Sequence, residues 1–509
     1  MQINILEYLD RTVKDHPQKT AIIDGERRIS FRQLNDQASS LALELNKFGH
    51  INRVFAVFLP KSIECILSDI AVTYSGNAYM NLDINNPGTR IKNILDLVHP
   101  EAIITNNKQL KKVHEISSDI PIINIEEVEL NLDSDNKLFN DVRGKIIDTD
   151  PLCIINTSGS TGTPKGVILN HKSYIDYTDW AIETFNFTGD EILGVLSPVI
   201  FDHYNYEICL MMAKACTLVL LDQKKASFPV LLLEELKKHN IDYIFWVPTI
   251  MVNIANMDLL SKVSLPSLKM IWFAGEVFPT KQFNYWRKHL PEATFVNLYG
   301  PVETSVDCTY FIVNRELKDD EPIPIGKPCR NTDIIILNEK DEPVGENETG
   351  ELCVRGTSLA MGYYNDPEKT EKVFIQNPLN RKYPEKIYRT GDLVFRNQEG
   401  ELIFKGRKDT LIKHLGYRVE LAEIEHTLIN TLKLIENGCI VYDHVKKEIK
   451  LFYEAKEELP LAETRRKIAN VLPNYMIPGS YIRFDELPRN ASGKIDRSHL
   501  SGLTKKLEG

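Results

Sequence analysis

A segment rich in glycine and hydroxyl groups, from Thr157 to Gly166, most constrains how this chain can fold. It reads Thr-Ser-Gly-Ser-Thr-Gly-Thr-Pro-Lys-Gly and lies between two short runs of apolar and β-branched residues. Such runs are typical of β-strands, so the segment is predicted to be a loop between two strands. Glycine lets backbone N–H groups crowd round an anion, while hydroxyls and a lysine add donors and positive charge. A phosphate group is the expected ligand, and a mobile surface loop is the alternative.

This loop is not a Walker P-loop, in which Gly-Lys-Ser/Thr opens a helix. Lys165 stands between Pro164 and Gly166, and the run that follows is strand-like rather than helical. The sequence therefore indicates a phosphate loop of another type.

Length and composition indicate a soluble globular protein with at least two domains. The chain has 509 residues, of which 43% are apolar and 26% charged, as is ordinary for such proteins. A net charge of −10 without a basic block disfavours a nucleic-acid partner. No apolar run approaches a membrane span, and the charged N-terminal residues do not form a secretory signal. The eight scattered cysteines contain no Cys-x-x-Cys pair, which favours free thiols and a cytoplasmic location.

Runs with helical and strand periodicity alternate along most of the chain, which predicts an α/β architecture with parallel strands and crossover helices. One helix is expected to begin at about Ser30, where serine can cap it. After about Cys329, short strands and turns predict a small β-rich subdomain. Strand and helix patterns then restart near the end of the chain. We therefore predict a large N-terminal domain over residues 1–408 and a small α+β C-terminal domain over residues 409–509.

A second polar segment follows a predicted strand and reads Asn297-x-Tyr299-Gly300-Pro301-Val302-Glu303. Open α/β sheets bind their ligands at the carboxyl ends of the strands. The Tyr299 ring offers a face for a purine, and the Glu303 carboxylate offers the hard oxygen that Mg²⁺ prefers. The alternative is a tight turn with an exposed glutamate.

The order of these motifs resembles the adenylate-forming superfamily of acyl-CoA synthetases, luciferases and nonribosomal peptide synthetase adenylation domains. The segment from Thr157 to Gly166 is similar to its phosphate loop, and Tyr388-Arg389-Thr390-Gly391-Asp392 is similar to its ribose-binding motif. The matching segments run in order from about residue 20 to residue 500. The resemblance implies ATP as a substrate and Mg²⁺ held by Glu303. The ATP-binding residues that it implies are Thr157, Ser158, Gly159, Ser160, Thr161, Gly162, Lys165, Asn297, Tyr299, Gly300, Asp392 and Arg407.

The resemblance also implies a catalytic lysine and a hinge. Lys494, in a Ser-Gly-Lys turn, would bridge the attacking carboxylate and the α-phosphate and stabilise charge in the transition state. Asp409 lies where the family has its hinge, about which the C-terminal domain rotates between two half-reactions. One position departs from the pattern, because the family usually has threonine in place of Val302, and that hydroxyl helps to hold the α-phosphate.

The segment Phe201-Asp202-His203-Tyr204-Asn205-Tyr206-Glu207 favours an amino acid over another carboxylic acid as the substrate. In the amino-acid-activating members the matching aspartate pairs with the α-ammonium group, a role that Asp202 would take. Tyr204 replaces the usual serine, and a helix N-cap is the alternative role for Asp202. By motif offset, the implied substrate pocket consists of Asp202, His203, Tyr206, Phe245, Trp272, Ala274, Leu298, Val306 and Asp307.

The resemblance therefore implies an enzyme that makes an aminoacyl-adenylate and passes the acyl group to a phosphopantetheine thiol on a separate carrier protein. Because no carrier motif is present, the chain resembles a freestanding adenylation enzyme, a group that includes the D-alanine ligases of teichoic acid assembly. An acyl- or aryl-CoA ligase is the first alternative. A nucleotide-binding protein that has lost catalysis is the second, and only Val302 and Tyr204 support it.

Overall fold

The computed structural model describes residues 2–128, 141–158, 164–408, 411–489 and 495–506. Its helices, in chain order, are α1 (Leu6–Asp15), α2 (Phe31–Asn46), α3 (Ile63–Tyr74), α4 (Gly88–Val98), α5 (Asn107–Ile116), α6 (His171–Phe185), α7 (Asp202–Lys214), α8 (Pro229–Lys238), α9 (Pro248–Asn256), α10 (Thr280–His289), α11 (Pro367–Val373), α12 (Leu421–His426), α13 (Leu461–Ala469) and α14 (Arg497–Lys506).

Its strands are β1 (Thr20–Asp24), β2 (Arg27–Ser30), β3 (Val54–Val57), β4 (Ala78–Asn81), β5 (Ile103–Thr105), β6 (Ile122–Asn124), β7 (Pro151–Thr157), β8 (Lys165–Asn170), β9 (Ile192–Val195), β10 (Thr217–Leu220), β11 (Tyr243–Trp246), β12 (Met270–Phe273), β13 (Thr294–Tyr299), β14 (Thr309–Ile312), β15 (Lys327–Pro328), β16 (Thr332–Leu337), β17 (Gly350–Gly356), β18 (Gly362–Tyr363), β19 (Phe374–Gln376), β20 (Lys386–Arg396), β21 (Leu402–Arg407), β22 (Leu411–His414), β23 (Tyr417–Glu420), β24 (Gly438–Asp443), β25 (Glu448–Glu454) and β26 (Ser480–Phe484).

Two large sheets form the body of the protein. One has the strand order β15-β14-β13-β12-β11-β9-β10-β1-β2, and the other has the order β18-β8-β7-β4-β3-β5-β6. Their central strands are parallel, whereas antiparallel pairs such as β1–β2, β13–β14 and β7–β8 lie toward the edges. Strands such as β3 are buried along their whole length, because helices cover both faces of a parallel sheet. The predicted α/β architecture is confirmed.

The local signals in the sequence place several elements correctly. Helix α2 begins after Ser30, whose hydroxyl accepts the Gln33 N–H at 3.2 Å while the Gln33 side chain accepts the Ser30 N–H at 2.9 Å. This reciprocal pair is a capping box, which satisfies two backbone donors at the helix start. The β-rich region predicted after Cys329 is the antiparallel sheet of β16, β17, β19, β20 and β21.

The parallel strands β11, β12 and β13 lie side by side and finish at Trp246, Phe273 and Tyr299. The residues that follow these strands therefore meet at one edge of the sheet. This edge is where an open α/β sheet forms its ligand crevice, and the predicted site residues Ala274 and Gly300 follow β12 and β13 there.

The elements from Leu411 onward have a core of their own, formed by residues such as Val419, Ile424, Ile440 and Leu451. Such a core is what a separate C-terminal domain needs. The boundary at 408/409 stays a prediction, because Asp409 lies outside the described residues. Among the helices that the structure describes, none combines the length and apolar character that crossing a membrane requires.

Candidate active site

The predicted phosphate loop joins two antiparallel strands, as expected, since Thr157 of β7 pairs with Lys165 of β8. Four loop residues with predicted roles lie outside the described part of the chain: Gly159, Ser160, Thr161 and Gly162. Thr157 and Ser158 border a cavity of about 120 Å³, which we name the acyl cavity. The Ser158 hydroxyl donates to the carbonyl of Arg418 at 2.8 Å and accepts the Glu420 N–H at 3.0 Å. The loop is thereby tied to strand β23 of the C-terminal part.

A larger cleft, of about 700 Å³, opens beside the carboxyl end of β13; we name it the nucleotide cleft. The predicted ATP-binding residues Asn297, Tyr299, Asp392 and Arg407 all border it. The Tyr299 hydroxyl donates to one oxygen of Asp392, and the Arg407 guanidinium donates to the other. These bonds fix the Asp392 carboxylate beside space that is large enough for a nucleoside. The Asn297 side-chain amide donates to the carbonyl of Pro324 at 2.7 Å, which holds the cleft wall in place.

Gly300 allows two backbone segments to approach closely behind this cleft. A Cβ atom at this position would lie 2.5 Å from the Cα of Asp307 and 2.7 Å from the carbonyl oxygen of Val306. Because both are backbone atoms, no rotamer change could relieve the clash. Gly300 is therefore required for packing, and it also borders the acyl cavity.

Glu303 lies fully buried at the junction of three structural elements. Its Oε1 is 3.3 Å from Lys165 Nζ and accepts the Tyr363 hydroxyl at 2.7 Å, while Arg418 donates to Oε2. Burial acts to raise the pKa of Glu303, but the positive charges of Arg418 and Lys165 outweigh it and hold the pKa well below its usual range. Glu303 is therefore ionised at any working pH.

A single buried carboxylate beside a phosphate-binding cleft suits Mg²⁺, which takes its other ligands from phosphates and water. The described residues contain no cluster of three or more His, Cys, Asp or Glu side chains that could hold a metal without a substrate. Glu303 fits the role of the one protein ligand. In this arrangement Arg418 donates to Oε2, and Lys165 and Tyr363 contact Oε1, so a metal ion at Glu303 would compete with these donors.

Asp202 and His203 begin helix α7 and border the acyl cavity. The N-cap position belongs to Phe201, and Asp202 is the first helical residue, so the capping alternative for Asp202 is wrong. Burial raises the pKa of Asp202 to about 6. Burial, together with the nearby Lys413 ammonium, lowers the pKa of His203 to about 3, so this imidazole is neutral at pH 7.

Aromatic rings form the wall behind these two residues. His203 stacks on Phe245 with ring centroids 4.1 Å apart, and Tyr206 lies parallel to Trp272 at 5.7 Å. Phe245 and Trp272 also pair across β11 and β12. Asp307 lies within 4.0 Å of His203 Nε2. The remaining predicted pocket residues are buried in the same core: Ala274, Leu298 and Val306.

Tyr204, which departs from the family pattern, points away from this wall. Its hydroxyl donates to Asp69 of helix α3 at 3.0 Å inside the protein core. The substitution therefore concerns packing between α3 and α7, and it gives no support to a loss of catalysis.

A channel of about 300 Å³ runs beside the acyl cavity and shares His203, Gly416 and other residues with it. Its inner part is lined by buried rings such as Phe245, and its outer part by exposed residues such as Ser227 and Leu415. The channel therefore leads from the protein surface to the substrate position.

The β7–β8 hairpin of one large sheet, Asp392 on β20 of the five-stranded sheet and Asp202 at the start of α7 border two adjoining spaces, the acyl cavity and the nucleotide cleft. The sequence profile of the AMP-binding enzyme family matches residues 9–364, well over half of the chain. The chain belongs to the AMP-binding enzyme family.

Several curated members of the AMP-binding enzyme family are similar along nearly the whole chain. Tyrocidine synthase 1 of Brevibacillus parabrevis is 29% identical over 98% of this chain and 45% of that protein. Zwittermicin A synthase ZmaJ of Bacillus cereus is 28% identical over 99% of this chain and 95% of that protein. Delta-poly-L-ornithine synthetase of Acinetobacter baumannii is 32% identical over 96% of this chain and 36% of that protein. The chain thus spans less than half of some relatives and almost all of another.

Solved structures of AMP-binding enzymes share the fold. The Vibrio cholerae adenylation domain AlmE in complex with glycyl-adenosine-5'-phosphate has a TM-score of 0.85 at 21% identity, over 99% of this chain and 98% of that one. Holo-PA1221, which contains adenylation and PCP domains, has a TM-score of 0.83 at 23% identity, over 98% and 84%. The o-succinylbenzoate CoA synthetase MenE of Bacillus subtilis has a TM-score of 0.83 at 20% identity, over 98% of each chain. These likenesses confirm the predicted large α/β part followed by a small C-terminal part.

Sequence reasoning missed several residues that the AMP-binding enzyme places at its site. Lys413 borders both the acyl cavity and the nucleotide cleft, and its ammonium lies 5.6 Å from the centre of the Tyr299 ring. The Gly416 N–H donates to Glu276 at 2.8 Å. Both Lys413 and Arg418 follow closely after the predicted hinge at Asp409. Their cationic side chains near the hinge could have been predicted to contact a ligand. Arg90 had no such signal, since its partner Glu423 is 333 positions away.

The position of Val302 allows one prediction about the α-phosphate contact. Val302 borders the acyl cavity, and the neighbouring Thr304 hydroxyl already donates its single hydrogen to the carbonyl of Pro301 at 2.8 Å. We expect Val302→Thr to raise ATP–pyrophosphate exchange about fivefold, the equivalent of the ~1 kcal/mol of one hydrogen bond. Val302→Ala is the matched control, because it changes the volume without adding a donor. An unchanged rate in Val302→Thr would mean that the phosphate already has its full set of donors.

Proposed function

We propose that this AMP-binding enzyme activates an amino acid as its aminoacyl-adenylate and then transfers the acyl group to the phosphopantetheine thiol of a carrier protein. The observation that carries this proposal is the half-buried Asp202 carboxylate, whose side chain is 13% exposed and which borders a small cavity also lined by Thr157 and Ser158. An α-ammonium group is the natural partner for such a carboxylate, because a charge-assisted bond offsets the cost of burying both groups.

In the first half-reaction, a carboxylate oxygen of the amino acid attacks the α-phosphorus of ATP. The bond from that phosphorus to the bridging oxygen breaks, and pyrophosphate leaves. Asp392 would bind the ribose hydroxyls, with Arg407 holding it, and Lys165 and the phosphate-loop residues would bind the phosphates. Lys494, which lies outside the described residues, would bridge the two reacting anions. Mg²⁺, when bound at Glu303, would neutralise charge on the phosphate oxygens.

In the second half-reaction, the thiol sulfur attacks the acyl carbon. The bond from that carbon to the phosphate oxygen breaks, AMP leaves with the electron pair, and the thiol proton passes to solvent. The 300 Å³ channel from the surface to His203 suits a narrow, uncharged arm such as phosphopantetheine. PA1221, which shares the fold and contains both adenylation and PCP domains, supports a carrier protein as the partner.

We further propose that the present arrangement serves this second half-reaction. Strand β23 lies against the phosphate hairpin, and Arg418 takes the position on Glu303 that Mg²⁺ needs in the first. A rotation at Asp409 of residues 409–509 relative to residues 1–408 would withdraw Arg418 and bring Lys494 to the cleft.

One alternative function concerns the class of acid that the enzyme activates. AlmE was solved with glycyl-adenosine-5'-phosphate, and another relative is a delta-poly-L-ornithine synthetase, which supports an amino acid substrate. MenE, an o-succinylbenzoate CoA synthetase, has the same fold, so an acyl- or aryl-CoA ligase is the competing function. Asp202 favours the amino acid.

The decisive experiment is ATP–pyrophosphate exchange with the L- and D-amino acids and with simple fatty and aryl acids. The Lys494→Ala variant measures the background of contaminating enzymes. Exchange that depends on an amino acid, followed by thioester formation on a holo carrier domain such as that of PA1221, would support the proposal. Exchange with fatty or aryl acids alone, with the acyl group appearing on coenzyme A, would overturn it.

A further inference from the structure

We infer that the amino acid is compact and carries a second amino group on a short side chain, as in 2,3-diaminopropionate or 2,4-diaminobutyrate. The inference rests on the proposed function and concerns the side-chain end of the same site. Two observations carry it, namely a buried carboxylate with an unused oxygen and a wall of aromatic rings that leaves little depth.

Asp307 supplies the unused oxygen. Its side chain is 1% exposed, and its Oδ2 accepts the hydroxyl of Tyr177 at 3.1 Å. Its Oδ1 has no hydrogen-bond partner among the residues that the structure describes. Buried polar atoms are nearly always hydrogen-bonded, because leaving one without a partner costs free energy. A donor from the substrate would complete the set of bonds that Asp307 makes.

The charge around this oxygen favours a cationic donor. Within the described ranges, the ion-pair contacts of Asp202 and Asp307 are both with Nε2 of His203, at 3.9 and 4.0 Å. That imidazole is neutral at pH 7, so it does not compensate either carboxylate. Lys413 is close enough to affect both electrostatically, but it lies on β22 and would move away with the C-terminal part during adenylation. Burial, together with the nearby Asp202, raises the pKa of Asp307 well above its usual range, so a positive charge brought by the substrate would favour its ionised form.

The depth of the site limits how long the side chain can be. The parallel rings of Tyr206 and Trp272 are fully buried, and Phe185 packs on Trp272 with centroids 4.6 Å apart. Neither Tyr206 nor Trp272 lines the acyl cavity of about 120 Å³. A lysine or ornithine chain would have to displace this wall, which close-packed rings resist. Asp307 does not line that cavity either, but His203 does, and its Nε2 lies 4.0 Å from Asp307. A short chain would therefore have to displace only the His203 ring to reach Asp307.

The test is the kcat/KM for pyrophosphate exchange with glycine, alanine, 2,3-diaminopropionate, 2,4-diaminobutyrate, ornithine, lysine and phenylalanine. We expect one of the two short diamino acids to exceed alanine, lysine and phenylalanine by ~100-fold or more, as is typical when a site is built around a polar group of its substrate. Asp307→Asn, which keeps the shape but removes the charge, should lower the ratio of diamino acid to alanine by a similar factor. Asp333→Asn is the matched control, because Asp333 is an exposed carboxylate far along the chain.

Each outcome decides one of the two proposals. A preference for glycine, alanine, ornithine, lysine or phenylalanine, or an unchanged ratio in a folded Asp307→Asn protein, would overturn this inference and leave the proposed function standing. Exchange with no amino acid would instead overturn the proposed function. If Asp307→Asn fails to fold, the ranking of substrates by the wild-type enzyme decides the matter, and Tyr177→Phe, which removes the hydroxyl bound to Asp307, should also reduce the ratio.

Discussion

We expect Arg90→Met to slow transfer of the acyl group from a pre-formed adenylate to the carrier thiol by ~100-fold or more, with little effect on pyrophosphate exchange. Arg90, on helix α4, forms an ion pair with Glu423 of α12, and the two side chains are 8% and 0% exposed. Removing one partner of a buried ion pair typically costs ~3–5 kcal/mol. The loss would destabilise the present arrangement of residues 1–408 and 409–509 relative to other arrangements. We assign this arrangement to the transfer step, so transfer should slow.

The charges of this pair depend on each other. Burial acts to lower the pKa of Arg90, and the Glu423 carboxylate reverses this effect and raises the pKa above its ordinary value. Neighbouring contacts hold the same junction, since Thr89 donates to the carbonyl of Asn470 at 2.8 Å and the ring of Phe201 packs edge-on against Tyr417 with centroids 5.3 Å apart. Methionine keeps much of the apolar volume of arginine, so the variant tests the charge rather than the packing.

Separate assays of the two half-reactions would check this prediction. Lys92→Met is the matched control on the same helix, because Lys92 is exposed and its contact with Asp96 is 3.9 Å long, and exposed pairs contribute little. Equal losses of exchange and transfer in Arg90→Met would show that the ion pair supports the fold as a whole. An unchanged transfer rate would show that the present arrangement is not the one used for transfer.

We expect Glu303→Gln to reduce pyrophosphate exchange by ~100- to 1,000-fold, the range typical for the loss of a group that stabilises charge in a transition state. Glutamine has nearly the same shape, but it binds Mg²⁺ poorly and cannot balance the charges of Lys165 and Arg418. The variant should also need a higher Mg²⁺ concentration for its residual activity. Exchange with wild-type Mg²⁺ dependence would remove Glu303 from the metal site.

Loss of the Glu303 carboxylate should also lower the free energy of unfolding, because two buried cations lose their counter-ion. The folded-state pKa of Glu303 is lowered, so its contribution to stability is fully present above its ordinary value near 4.5 and is lost only as the pH falls toward the folded-state pKa. The stability difference between Glu303→Gln and the wild type should therefore be constant from about pH 6 to 8. Glu183→Gln is a suitable control, since Glu183 forms an exposed ion pair with Arg330, for which only a small effect is expected.

The chain order of its motifs was enough to predict the α/β fold, the phosphate hairpin and the grouping of Tyr299, Asp392 and Arg407 at one cleft. Local chemistry explains this success, because strand periodicity, a capping serine and a glycine loop each act over a few residues. The roles of Lys494 and Asp409 stay predictions, since both lie outside the described residues.

Contacts between distant parts of the chain could not be predicted from the sequence. The pairing of Glu303 with Arg418 and of Arg90 with Glu423 depends on how the C-terminal part packs on the rest of the protein. The periodicity of the sequence does not predict which charged side chains form such long-range pairs. The free oxygen of Asp307 and the neutral state of His203 likewise follow from burial, which sequence spacing does not measure. Sequence alone therefore determined the family, because its signals are local and ordered, and it predicted nucleotide-binding roles that stay predictions. Only the tertiary structure decided which carboxylates remain uncompensated, because desolvation and ion pairing depend on the whole fold.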